Sequence, residues 1–142
     1  MTSEEIKACL EKMIDDFWHK QEFDEVYKVY ADDFVFHRPP FPSVKGKEAN
    51  RAADEGMLVA FSENLCIIDE IIVEGQVAAM RWTWQAVHSG TSLTLGIPPS
   101  GKRVKISGCS VYHFHDGKLV EQWEFGDNLS LLQQMGVIPA MG

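Results

Sequence analysis

The chain has 142 residues, of which 45% are hydrophobic and 24% charged, and its formal net charge is −8. These values are typical of one soluble domain with its own hydrophobic core, so we expect a single domain over residues 1–142. The acidic charge argues against nucleic acid as a partner, because nucleic-acid-binding surfaces neutralise phosphates with Lys and Arg. No apolar run approaches the roughly 20 residues of a membrane span, and we expect no membrane partner.

Three cysteines, Cys9, Cys66 and Cys109, are spaced widely along the chain. Their odd number and the absence of a CxxC pair predict free thiols in a reducing compartment. The acidic, amphipathic N-terminal segment contains no apolar run of signal-peptide length. We therefore expect a cytoplasmic protein.

The first part of the sequence shows helical periodicity. Residues 3–20 carry an apolar residue on each turn, and Thr2 and Glu5 can form a capping box at the start of this helix. A second, short helix is predicted over residues 23–30, with its aromatic residues on one side.

A short strand is predicted next, over residues 34–37, and the prolines that follow it end the strand. A third helix is then predicted over residues 47–61. The residues expected on its inward face are Ala49, Ala53, Met57 and Ala60.

From residue 65 onward, apolar and polar residues alternate in the way that is typical of strands. The predicted strands span residues 65–73, 76–88, 104–115 and 118–125. The dipeptide Asp116-Gly117 predicts a tight hairpin turn between the last two, because a type I′ turn needs positive φ. A loop at residues 95–101 separates two of the strands.

The last strand runs into a short helix, predicted over residues 128–135 and closed by Gly136. Strict alternation along this strand places Val120, Gln122 and Glu124 on one face. Leu119, Trp123 and Phe125 then lie on the other face. The order of elements indicates an α+β fold, in which helices cover one face of a curved sheet.

Two stretches carry a resemblance to a known family. LGIPPSGKRV contains a GIPP-[ST]-G loop, and HDGKLVEQWEFGDNLSLLQQMG contains a DGK-[IL]-V-E-x-W strand. With these motifs the chain resembles the SnoaL-like polyketide cyclases, or ester cyclases, of the NTF2-like superfamily over nearly its whole length. The resemblance implies an NTF2-like cone, in which a curved mixed or antiparallel sheet is wrapped by N-terminal helices around a deep pocket.

The resemblance also implies cofactor-free acid–base chemistry, in which a carboxylate removes a proton α to a carbonyl and the enolate closes a ring by an aldol step. The family pattern H-x-D-x-x-D aligns with Gln122, Glu124 and Asp127. The chain departs from the pattern twice. Glu in place of Asp moves the carboxylate by about one C–C bond, and Gln in place of His removes a titratable group. A proton-transfer role remains open.

Three residues are candidates for catalysis. Glu124 is either a solvated strand residue or a pocket acid whose pKa is raised by desolvation, as suits a general base. Asp127 directly precedes the last helix, where capping is the simpler role. His37, at the end of the first strand, is either a rim residue or a group that orients a carbonyl or holds Glu124.

Several further residues are candidates for an aromatic-lined pocket that binds a small apolar molecule. The candidate substrate-binding residues are Gln122, Tyr112, Trp84, Trp82, Arg81, Phe36 and Trp18. Arg81 has a simple alternative, which is a surface ion pair. His113 and His115 form an H-x-H pair, but a metal site needs three or four converging ligands, so we expect no metal.

Two functions of different classes fit these features. The first is an enzyme of cyclase or isomerase type, or a related dehydratase or hydrolase, with Glu124 as its base. The second is a non-catalytic module that binds a hydrophobic molecule or a partner chain. We also expect a homodimer. Apolar residues on both faces of several strands must be buried on both sides, by helices on one side and by the sheet of a partner subunit on the other.

Overall fold

The computed structural model describes residues 1–92 and 96–141 of the chain, so Leu95, at the start of the predicted loop, lies outside the described residues. Six strands form one curved sheet in the order β2-β1-β6-β5-β4-β3. The strands are β1 (Tyr30–His37), β2 (Val44–Lys45), β3 (Phe61–Glu74), β4 (Val77–His88), β5 (Arg103–His115) and β6 (Lys118–Gly126). Only the β1–β6 pair is parallel among these neighbours. The α+β prediction is confirmed.

The helices of the structure are α1 (Ser3–Ile14), α2 (Phe23–Val26), α3 (Lys47–Ala60) and α4 (Asn128–Gln134). The predicted capping box is confirmed, since Glu5 N donates to Thr2 Oγ1 at 3.1 Å and Thr2 N donates to a Glu5 carboxylate oxygen at 3.0 Å. Among the described residues, no helix is both long and apolar enough to cross a membrane. The three cysteines are free thiols, as predicted.

The first helix does not remain α-helical to residue 20. It widens into a π-helical segment, Asp15–Lys20, which ends where Gln21 adopts a left-handed backbone with φ of 55°. No proline or glycine marks this change in the sequence. The segment brings the adjacent rings of Phe17 and Trp18 to the same cavity wall, and π-helical turns often occur at such places.

The β5–β6 hairpin contains a tight turn and a β-bulge. Asp116 and Gly117 take φ of 49° and 75°, so the predicted turn is confirmed. A register shift follows, because His113 pairs with Glu121 but Phe114 pairs with Leu119. The extra residue in β6 shifts the alternation by one position. Leu119 is therefore fully buried on the inner face together with Gln122, and the prediction of Leu119 on the opposite face is wrong.

The core lies between the helices and the inner face of the sheet. The large apolar side chains that are almost completely buried there include Ile6, Leu10, Phe34, Met80, Val104 and Leu119. Burying a side chain of this size contributes roughly 1.5–3 kcal/mol to folding. On α3 Ala60 is buried and Met57 packs against the core, as predicted, but Ala49 and Ala53 are exposed, and the buried Asn50 was not predicted to face inward.

Candidate active site

A cavity of about 350 Å³ lies between the inner face of the sheet and the helices. This volume is within the range of small-molecule sites. Most of the lining side chains are apolar, and the aromatic ones are Phe17, Trp18, Tyr30, Phe36, Phe41, Phe61, Trp82, Trp84 and Tyr112. The Trp84 ring contacts two others of this group, with its centroid 5.6 Å from that of Trp18 and 5.0 Å from that of Phe61.

Six of the seven predicted substrate-binding residues line the cavity: Trp18, Phe36, Trp82, Trp84, Tyr112 and Gln122. Strand alternation explains this outcome for β4, whose even-numbered residues face inward. Both strand tryptophans are anchored by their ring N–H groups. Trp82 Nε1 donates to Ser110 Oγ at 3.0 Å, and Trp84 Nε1 donates to Asn64 Oδ1 at 3.0 Å. The rings therefore form a preorganised wall.

Glu124 also lines the cavity, on the inner face of β6 and opposite Ser110 of β5. Among the described residues, none donates a hydrogen bond to its carboxylate. Burial raises the pKa of Glu124, and the positive charge of Arg38 offsets part of the increase. A carboxylate in these surroundings is a stronger base than one in water.

Arg38 was missed by the sequence reasoning, although it follows β1 directly in the HRPP stretch. It is the only basic side chain among the described residues that line the cavity. Its guanidinium lies over the Phe41 ring, 4.7 Å from the centroid, and Nη1 is 3.9 Å from Met57 Sδ. Within residues 1–92 and 96–141 it forms no ion pair. Its donors can therefore meet an anionic group of a ligand.

Asn50 and Asp54, on α3, were missed as well, and both line the cavity. Tyr27 donates a hydrogen bond to Asp54, and Asn50 Nδ2 donates to Tyr27 Oη at 2.9 Å. Burial raises the pKa of Asp54 to about 7. A signal was present in the sequence, because Asn50, Asp54 and Met57 have the i, i+4, i+7 spacing of one helical face. The predicted inward face of this helix contained Met57 and three alanines, but neither Asn50 nor Asp54.

His37 does not lie in the cavity, so its predicted position is wrong. Its Nε2 is 2.6 Å from Glu121 Oε2, its Nδ1 is 2.7 Å from Ser43 Oγ, and its ring stacks on Trp123. The reason is the register of the parallel pair, in which Phe36 lies beside Gln122 on the inner face. The next residue, His37, must then face outward.

Arg81 and Asp127 also differ from their predicted positions in the site. Arg81 is on the outer face of β4 and is 58% exposed, with Asp69 and Glu70 as its ion-pair partners. Asp127 is exposed and caps α4 by accepting a hydrogen bond from Ser130 N at 3.0 Å. Arg81 therefore forms surface ion pairs and Asp127 forms a helix cap, which were the simpler alternatives for these two residues.

The histidines of the H-x-H pair do not converge on a common point. His113 packs against the Trp123 ring at 4.8 Å, and His115 lies 3.3 Å from Asp116. In the part of the chain that the structure describes, no group of three His, Cys, Asp or Glu residues is arranged to hold a metal ion.

Comparisons with known proteins bear on the family and the fold of the chain. The family described as SnoaL-like polyketide cyclase matches residues 8–135. AclR, a candidate hydroxylase from Streptomyces galilaeus, has a TM-score of 0.85 and 26% identity, over 99% of this chain and 87% of AclR. TsrD from Streptomyces laurentii has a TM-score of 0.84 and 22% identity, over 97% and 99% of the two chains.

IdmH, a candidate polyketide cyclase from Streptomyces antibioticus, has a TM-score of 0.76 and 20% identity, over 92% of this chain and 97% of IdmH. No curated protein matches the chain. The structural likeness establishes the NTF2-like cone fold. Because the family match also extends over most of the sequence, the chain belongs to the SnoaL-like polyketide cyclase family.

Proposed function

We propose that the protein is a cofactor-free acid–base enzyme that acts on a small apolar carbonyl substrate, with Glu124 as the base. The observation that carries this proposal is the position of Glu124, whose carboxylate lines an otherwise largely apolar cavity without a hydrogen-bond donor. Its pKa is raised by burial, which brings a carboxylate closer to the strength that a general base needs near neutral pH. Membership of the cyclase family supports the same class of reaction.

In the proposed reaction, Glu124 takes a proton from the carbon next to a carbonyl, and the C–H electron pair moves into the enolate. The enolate carbon attacks a second carbonyl of the same molecule, forming a C–C bond and an alkoxide. The alkoxide then takes the proton from Glu124, so atoms and electrons balance without a co-reactant. When the enolate is conjugated with a C=C bond, return of the proton to the far carbon of that conjugated system gives an isomerisation instead.

In the proposed reaction, three side chains on the cavity wall stabilise the enolate oxygen. They are Arg38, Tyr112 and Gln122. Burial and the charge of Glu124 raise the pKa of Tyr112, so its hydroxyl keeps its proton and can donate it in a hydrogen bond. Arg38 contributes a positive charge, and Gln122 contributes a neutral amide donor. Donors placed in advance around a developing oxyanion are a major source of catalysis.

The test is the variant Glu124→Gln, assayed with polyketide-like methyl esters, ketosteroids and epoxides. We expect the variant to lose about 10²–10⁴-fold in kcat, as removal of a general base does. Asp127→Asn is the matched control, because it removes an exposed carboxylate three residues away and keeps a capping oxygen. Equal turnover by wild type and Glu124→Gln would remove the proposal.

A second function, a non-catalytic binding module, is favoured by one observation. Gln122 is buried, at 8% exposure, at the position of the family histidine, so β6 brings no second titratable group beside Glu124. The discriminating measurement is the titration of Glu124 by NMR. An ordinary glutamate pKa together with tight binding of an apolar ligand, and without turnover, would support the binding module.

We also propose that a second copy of the chain covers the outer face of the sheet. Ile67 and Ile72 of β3 and Phe125 of β6 are between 49% and 60% exposed, and they lie beside outward-facing residues of the neighbouring strands. Exposed apolar side chains on the face of a sheet that no helix covers support an interface between subunits. The cytoplasmic location stays a prediction from the sequence.

A further inference from the structure

Two carboxyl groups line the cavity, one from the sheet and one from the helices. Glu124 is on β6, and Asp54 is on α3. The proposed reaction uses Glu124 and leaves Asp54 unassigned. Because both groups lie in the same largely apolar cavity, ionisation of both at once is unfavourable. The charge of one carboxyl therefore affects the proton of the other.

Asp54 presents one free oxygen to the cavity. Its Oδ2 accepts a hydrogen bond from the Tyr27 hydroxyl, and Asn50 Nδ2 donates to the same atom at 3.3 Å. In the described part of the chain, the only side-chain polar atoms that are both fully buried and unpaired are Asn50 Oδ1 and His88 Nε2. Asp54 Oδ1, which accepts no bond from a described residue, is therefore accessible. Since both donors meet Oδ2, Oδ1 is the atom that carries the proton of the acid form.

The charges around the two carboxyls favour one carboxylate and one carboxylic acid. Burial raises the pKa of both groups, and the positive charge of Arg38 opposes the increase in each. For Asp54 the pKa reaches about 7, and the charge of Glu124 contributes to this value. One arginine compensates one carboxylate. While Glu124 is ionised as a base, Asp54 therefore keeps its proton up to about neutral pH.

The other titratable groups that face the two carboxyls do not exchange protons in this range. Burial raises the pKa of each phenol and thiol concerned, which are those of Tyr27, Tyr30, Cys66 and Tyr112. Glu55, beside Asp54 on α3, is exposed and accepts from Arg51 Nε at 3.2 Å. Asp54 is therefore the group that can supply a proton while Glu124 accepts one.

We propose that Asp54 is the general acid of this cavity, which protonates the oxygen of the carbonyl that the enolate attacks. The inference rests on the proposed function, because Glu124 must first form the enolate. As the new C–C bond forms, the C=O electron pair moves to the oxygen, and the proton on Asp54 Oδ1 joins it. The alkoxide proton then comes from Asp54 rather than directly from Glu124. Water returns the proton of Glu124 to the Asp54 carboxylate, so atoms and electrons balance.

The test uses 2,6-heptanedione, in which a terminal methyl carbon can attack the distant carbonyl and close a six-membered ring. NMR in D2O gives two rates on this one probe. Exchange of the α-hydrogens for deuterium reports proton abstraction, and ring closure reports abstraction followed by protonation of the alkoxide. We expect Asp54→Asn to slow ring closure by about 10²-fold or more, as loss of a general acid does, and to leave the exchange rate unchanged.

The pH dependence of the two rates is the second readout. Ring closure by wild type should fall as pH rises through about 7, because Asp54 loses its proton there. The exchange rate should not fall in this range, since Glu124 is then ionised. Asp54→Asn should lack the decrease in ring closure. A purely structural role of Asp54 would change both rates together and would not separate their pH profiles.

Glu55→Gln is the matched control, because it removes an exposed carboxyl from the next position of α3, outside the cavity. Both of its rates should equal those of wild type. Three results would overturn the inference: wild-type ring closure by Asp54→Asn, an equal loss of both rates in this variant, or no decrease in wild-type ring closure above a pH of about 7.

The two rates also separate this inference from the proposed function. If Glu124→Gln exchanges the α-hydrogens as fast as wild type, Glu124 is not the base. The ratio of ring closure to exchange in Asp54→Asn then still decides the role of Asp54. If wild type neither exchanges nor cyclises the probe faster than buffer does, both roles are overturned.

Discussion

Replacing Asp54 with asparagine should make the stability of the protein less sensitive to alkaline pH. Asp54 is desolvated on the inward face of α3, and its pKa in the folded protein is about 7. The groups that act on it are Tyr27, Glu124, Arg38 and Glu55. Tyr27 donates a hydrogen bond to the carboxylate, Arg38 attracts it, and the two glutamates repel it. The asparagine side chain keeps an oxygen for Tyr27 but has no charge to bury.

The magnitude follows from the two pKa values of Asp54, about 7 when folded and near 3.8 in the unfolded chain. The folded state binds the Asp54 proton more tightly than the unfolded chain does. Proton binding therefore stabilises the fold at low pH, and this stabilisation is lost as pH rises through about 7. At about 1.36 kcal/mol for each pKa unit, the contribution of Asp54 to the free energy of unfolding differs between low and high pH by on the order of 4 kcal/mol. About 3 kcal/mol of it falls between a pH of about 5 and about 8.5.

The measurement is urea denaturation of wild type and Asp54→Asn across this pH range, followed by tryptophan fluorescence. The free energy of unfolding of wild type should fall relative to that of the variant as pH rises. Asp33→Asn is the matched control, because Asp33 is an exposed aspartate on β1 and water solvates it in both states. If wild type and Asp54→Asn show parallel pH dependence, Asp54 is not desolvated as described and the reasoning is refuted.

Three other predictions concern the fold and the assembly. Asp127→Ala should lower the free energy of unfolding by about 1 kcal/mol through loss of the α4 cap; a loss of activity without a loss of stability would contradict this. Gly108→Ala should cost about 1–3 kcal/mol in urea denaturation, because a Cβ would lie 2.4 Å from Trp82 Cζ2. Gly126→Ala, with its nearest atom at 3.3 Å, should cost less, and the reverse order would be inconsistent with this packing. Ile67→Lys should convert the proposed dimer to a monomer in sedimentation; a monomeric wild type would exclude the dimer.

The sequence was sufficient for most of the fold. Apolar residues at helical spacing predicted the α1 helix, and strict alternation predicted the inward face of β4, because these periods are properties of the local backbone. Turn and cap residues were also informative. Asp116-Gly117 predicted the hairpin, since few other residues accept positive φ at little cost. The unmarked π-helical segment and the bulge in β6 were not predicted, because tertiary packing decides both.

For the site, the alternation of residues along β4 and around Glu124 predicted that Glu124 and the aromatic side chains line the cavity, and the structure has them there. Only the tertiary structure decided which faces meet. The register of β1 against β6 turned His37 outward, and the rotation of α3 brought Asn50 and Asp54 to the cavity beside Ala53 and Ala60. Such choices depend on packing between elements that are distant in the chain, and the free energy of that packing is not contained in any local pattern.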